Sequence, residues 1–181
     1  MNLERYTDRA KGVVLVAHQQ AKMSQNPNVD PEHLLRALID EPAGVIARVL
    51  RRLEVEPAVL LADIDRALVR LPKVRGGVHA SVSPRLRAVA EVAEAEAERL
   101  RDGFVSAEHL LLALTLEEPS SPSAEVLRQA GVTTGCVYEA LTSIRGTQRV
   151  TDQRPEGKYE ALERYGRDLT AIAAEDALDP V

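Results

Sequence analysis

NVDPEHLLRAL (28–38) and FVSAEHLLLAL (104–114) are one motif written twice. At an offset of 76, seven of the eleven positions are identical: Val29/Val105, Glu32/Glu108, His33/His109, Leu34/Leu110, Leu35/Leu111, Ala37/Ala113 and Leu38/Leu114. The same offset, without a gap, aligns Arg9 with Arg85, Val13 with Val89, Val16 with Val92, Ala17 with Ala93 and Ala21 with Ala97. A weaker echo follows at an offset of 77, VLRRLEV (49–55) against VLRQAGV (126–132), one residue having been added in the loop that carries SSPS. A solenoid needs about three or more repeats to close its core. Two copies predict instead a pseudo-twofold helical domain in which each half buries the other's apolar face. A groove left between the halves is then the expected functional surface.

Helical periodicity dominates each copy. Ala10, Val13, Val14, Ala17 and Ala21 fall at i, i+3, i+4 spacing behind Thr7, a capping residue. Leu86, Val89, Ala90, Ala93, Ala97 and Leu100 repeat the pattern behind Ser83, with Pro84 at the first helical position, where a missing N–H costs nothing. The second helices start at Asp30-Pro31-Glu32 and Ser106-Ala107-Glu108 and stop near Pro42 and Pro119, since the residue before proline disfavours helix. Third helices are expected around 43–53 and 123–130, and fourth helices around 57–70 and 133–145. No strand is expected. LPKVRGGVHASVSP (71–84) is the connector, with prolines, paired glycines and no periodicity.

The fold predicted is therefore all-α: two tandem four-helix repeats, residues 1–71 and 83–146, forming one domain over 1–146. Polar RGTQRVTDQRPEGK (145–158) reads as a linker, assigned to 147–158. A last helix, from about Tyr159 to Ala177 within the segment 159–181, carries Leu162, Tyr165, Leu169 and Ile172 on one side and has no counterpart in the repeat.

Composition removes several functions. One Phe, four Tyr and no Trp leave little aromatic mass for stacking on bases, and a net charge of −5 lacks the footprint of a phosphate binder. Nucleic acid is not expected as a partner. The charged start MNLERYTDRAKG is no signal peptide, and the longest apolar run near it, Val13–Ala17, is far below the ~20 residues of a membrane span. Cys136 is the only cysteine, so no internal disulfide forms, and a reducing cytoplasm suits the chain.

These residues resemble the N-terminal domain of the Clp family of AAA+ unfoldases, and within it the disaggregating chaperones. The doubled EHLL…AL motif resembles the family's internal duplication. RALVRLPKV (66–74) is similar to the segment joining its two halves, and ALERYGRDLTAIAAEDALDPV (161–181) to the lead-in to its first ATPase module. The tail departs from the family where Asp176-Ala177 replaces a Gly-Lys pair. No G-x-x-x-x-G-K-[ST] loop occurs; Gly157-Lys158 is followed by Tyr159. Without that cradle the chain has no means of holding nucleotide phosphates, so no enzymatic activity and no cofactor is expected. The ATPase module of the family would begin where this sequence stops, at Val181.

The resemblance implies capture of unfolded or aggregated polypeptide, with adaptor proteins and AAA+ ATPase modules as further partners. It places Thr7, Asp102 and Glu108 on the family's polypeptide-binding surface, and the repeat adds Glu32 by symmetry. The expectation is an apolar groove with acids at its rim that select basic or polar flanks of a client. Plainer readings stand beside it: Thr7 as a helix cap, and Glu32 and Glu108 as first-turn acids worth about 0.3–1 kcal/mol against the helix dipole. Glu32-His33 and Glu108-His109 also raise a metal site. Neighbours on a helix point about 100° apart and the Glu-x-x-His spacing is absent, so no metal is assigned. The alternative function is a free-standing module that competes for clients or adaptors. A metal-dependent enzyme and a helical DNA binder rank below it.

Overall fold

The computed structural model describes residues 2–41, 44–74, 79–146 and 148–155. Among these, the first half supplies α1 (Asp8–Met23), α2 (Pro31–Ile39), α3 (Val45–Arg52) and α4 (Pro57–Val69). The second half supplies α5 (Pro84–Arg99), α6 (Ala107–Thr115), α7 (Pro122–Gln129) and α8 (Thr134–Arg145). The helix ends repeat as faithfully as the helices. Thr7 Oγ1 accepts the Ala10 N–H, and Ser83 Oγ accepts the Leu86 N–H three residues on. At the other end of α1 and α5, Gln25 (φ 59°) and Arg101 (φ 58°) turn left-handed. That turn lets the Asn26 N–H reach the Ala21 carbonyl and the Asp102 N–H reach the Ala97 carbonyl, the 6→1 bond of a Schellman stop. Glu54 and Gly131 close α3 and α7 in the same way.

Strands do occur, which corrects the expectation of none. β1 (Asn28–Val29) pairs in parallel with β2 (Ser81–Val82), and Tyr6 forms a parallel bridge to Val105. The two pairings are one contact seen twice, since adding 76 to Tyr6 and Val29 gives Val82 and Val105. Thr7 donates its N–H to the Val105 carbonyl, and Ser83 donates its own to the Val29 carbonyl. Pieces of two residues have no period to read. Each half thus lends the segment before its first helix to the other half.

The core is continuous across the halves. α2 packs on α6, and the two central helices are flanked by α1 and α5 respectively, where the inward alanines Ala17, Ala21, Ala93 and Ala97 permit close approach. Leu34, Leu35, Leu38, Leu110, Leu111 and Leu114 are all buried. Truncating one such leucine to alanine costs about 2–5 kcal/mol. Among the described residues no helix is long and apolar enough to cross a membrane.

Residues 148–155 are not a free tether, contrary to the linker reading. Val150 is fully buried, its N–H donating to Asp102 and its carbonyl accepting from the Gly103 N–H. A polar stretch docks here because buried groups of the domain complete its hydrogen bonds. The helix expected over 159–181 lies outside the described residues.

Candidate functional site

All four residues singled out in the sequence are sealed from solvent: Thr7 and Glu32 are 0% exposed, Glu108 2% and Asp102 7%. An acid rim on an open groove between the halves is therefore corrected. The seam is filled by the chain's own leucines, and the first turns of α2 and α6 point into it. Buried acids must find partners, and two distinct clusters supply them.

The first cluster is organised by α6. Ser106 caps the helix, and His109 Nδ1 accepts the Ser106 N–H at 2.9 Å, completing a capping box with histidine in the usual place of Glu or Gln. Its other nitrogen, Nε2, is then the one that donates, to Asp102 Oδ2 at 3.0 Å. Arg145, from the end of α8, reaches the same oxygen at 2.7 Å, and its Nη1 lies 3.5 Å from Glu108 Oε1. Asp102 Oδ1 accepts the Val150 N–H at 2.7 Å. Burial pushes the Asp102 carboxyl up, but the bonds from His109, Arg145 and Val150 outweigh it and hold the group below its ordinary value of 3.8. Capping or burial is the ordinary part of an imidazole near a helix start, and His109 has both. Asp102 and Arg145 as its partners were not legible in the sequence. A faint signal exists: an Asx residue stands seven positions before the histidine in both halves, as Asn26 and Asp102.

The second cluster joins the halves. Arg85 of α5 donates to Glu32 Oε1 at 2.9 Å, and to Glu117 Oε1 at 2.7 Å. Ser123 bridges to Glu117. Burial raises the Glu32 carboxyl above 4.5, Arg85 offsetting only part of that cost. Glu32 Oε2 is buried with no hydrogen-bond partner among the described residues. In the first half, Arg9 pairs with Glu41 at 2.7 Å, the counterpart of Arg85–Glu117. Among the described residues no group of three or more His, Cys, Asp or Glu is arranged for a metal ion.

Beside the second cluster opens an apolar cleft of about 550 Å³ between α5, α6 and the start of α7. Val89, Val92, Ala88, Ala113 and Pro122 form its walls, Arg85 and Glu117 its polar side, and Leu116 stands in it 47% exposed. It can take an apolar side chain and offers its flanks both signs of charge.

Residues 5–130 match the Clp repeat (R) N-terminal domain across both halves of this doubled fold. The chain belongs to that family. A ClpB chaperone from Bdellovibrio bacteriovorus is 39% identical over 176 residues, 97% of this chain and 20% of the relative. ClpB from Mycobacterium tuberculosis is 37% identical over 179 residues, again 97% of this chain and 20% of the relative. The chain thus spans about a fifth of the length of these ClpB relatives and matches the family's N-terminal domain. In solved structures the fold recurs in the Hsp104 N-terminal domain of Candida albicans (TM-score 0.72, 23% identity, 82% of this chain and 97% of that one). It recurs also in a ClpV N-domain in complex with a VipB peptide (TM-score 0.62, 19% identity, 82% and 92%).

Proposed function

We propose that this Clp N-terminal domain binds unfolded or aggregated polypeptide for a ClpB-type disaggregase, and that the cleft at Leu116 is where it does so. One observation carries the reading: the cleft is an open apolar concavity with half-exposed Leu116 in it and charged Arg85 and Glu117 at its side. Open apolar concavities on a soluble domain mark binding sites. That a ClpV N-domain takes a VipB peptide supports polypeptide as the ligand class. Thr7, Glu32, Asp102 and Glu108 enter this reading as supports rather than contacts. Glu32 fixes Arg85 at the polar side of the cleft, Thr7 caps α1, and Asp102 and Glu108 brace α6 behind it. Binding by one small cleft is weak, which suits a client that must be handed on to a translocating ring.

Leu116→Asp tests the proposal. It gives the second half the residue, Asp40, that the first half has at the same place. Affinity for a fluorescently labelled unfolded model protein, read by anisotropy, should fall about tenfold, the equivalent of ~1.4 kcal/mol. Unfolding by urea should shift by no more than about 0.5 kcal/mol, as for surface substitutions generally. Unchanged affinity in the folded variant would remove the cleft from consideration.

A further inference from the structure

A succession of fastenings holds residues 148–155 to the body of the domain. Nearest α8, Arg145 Nη2 donates to the Gln148 carbonyl at 3.3 Å while also binding Asp102. Val150 then exchanges two bonds with the turn after α5: its N–H donates to Asp102 Oδ1 at 2.7 Å, and its carbonyl accepts from Gly103 at 2.8 Å. Farther on, the Asp8 N–H donates to the Gln153 carbonyl at 2.9 Å, Arg154 Nε donates to Asp8 Oδ2 at 2.8 Å, and Gln153 Nε2 donates to the Glu4 carbonyl at 3.4 Å. Asp8 is the first residue of α1, so a stretch that leaves the second half finishes on the first.

The fastenings are unequal. Arg154 and Asp8 are a solvent-exposed pair, screened and weak. Val150 and Asp102 meet where water is excluded, and the acceptor is a carboxylate, which strengthens the bond. Asp102 divides its oxygens accordingly, Oδ2 to the core groups His109 and Arg145 and Oδ1 to the departing chain.

We infer that residues 148–155 form a strap latched by Asp102, so that one buried carboxylate fixes the path of these residues over the body of the domain. Asp102 acts here as a positioning residue. The first half shows that the fold accepts an amide in its place. Asn26 Oδ1 meets His33 Nε2 at 3.2 Å, and Asn26 Nδ2 donates outward to the Pro72 carbonyl at 2.8 Å. An asparagine at 102 keeps one acceptor for His109 but turns an NH2 toward the Val150 N–H, donor against donor. Latching the strap and folding the halves are thereby separable.

Hydrogen exchange followed by mass spectrometry on the full chain tests the inference, with trypsin cleavage after Arg149 as a second readout. In Asp102→Asn, peptides covering 148–155 should exchange at least about tenfold faster and trypsin should cut there sooner, while amides of α1, α2, α5 and α6 keep their protection. Protection of 148–155 unchanged in the folded variant overturns the latch. Should Asp102→Asn loosen the helices as well, Val150→Pro decides, since it removes the N–H that Asp102 receives and leaves Asp102 intact: selective loss of protection over 148–155 supports the strap, and retained protection overturns it.

Discussion

The two halves keep the same skeleton and differ in where they place charge. Asn26 and Asp102 occupy equivalent ends of α1 and α5, and both receive a histidine from the next capping box. In the first half that contact is neutral. In the second it carries a carboxylate, which brings Arg145 into the interior and holds Val150. The surfaces diverge in the opposite sense. Asp40 at the end of α2 is tied to Arg36, itself bound to Asp65, whereas the equivalent Leu116 is left apolar and open. Gly12 likewise stands where Ala88 lines the cleft. At these equivalent places duplication has yielded a polar end of α2 beside a neutral joint in one half, and an apolar end of α6 beside a buried ion cluster in the other. Shared positions carry the fold; divergent ones carry whatever is specific.

Removing the two Asx side chains should expose that difference most. Asp102→Ala breaks the buried pair with Arg145 and the bonds from His109 and Val150, and should cost about 3–5 kcal/mol on urea unfolding. Asn26→Ala breaks only neutral hydrogen bonds and should cost about 1–3 kcal/mol. Equal losses would mean the charge has no special part in the second half. The caps probe what the halves share. Thr7→Ala and Ser83→Ala should each cost about 1 kcal/mol, since both lose one bond to the third helical N–H and keep their strand pairing. A loss confined to one of them would show that the crossed pairing is not symmetric in energy.

The smallest effect lies in pH. Burial, opposed in part by Asp30, lowers the His33 pKa from 6.5. A histidine harder to protonate when folded contributes stability that is complete above about pH 6.5 and declines as pH falls below it, because the unfolded chain then binds the extra proton. His33→Gln keeps an acceptor for the Asp30 N–H, as a capping-box glutamine does, but cannot titrate. Its stability should therefore decline less between pH 6.5 and 5 than that of the parent. Parallel curves would assign the acid sensitivity elsewhere.

Much of this was legible in the chain. Eight helices, their capping residues and the pairing of halves followed from period and offset, because burying one face of an amphipathic helix writes the period directly into the sequence. What escaped depends on contacts far apart in sequence. Glu32 and Glu108 look like surface acids at helix starts, and only the central position of α2 and α6 turns them inward. Arg145 and Val150 meet Asp102 across more than 40 residues, and neither has a local signature. Polar 148–155 has the composition of a tether. Its docking is decided by the orphan groups it satisfies, which no composition reports.

The crossed segments before α1 and α5 carry a final consequence. Because Tyr6 completes the second half and Val82 completes the first, neither repeat made alone would be a finished object. A lone repeat would have to find another copy of itself and swap arms with it, so the joined gene product amounts to a dimer made internal, exempt from dilution and bound to melt as one.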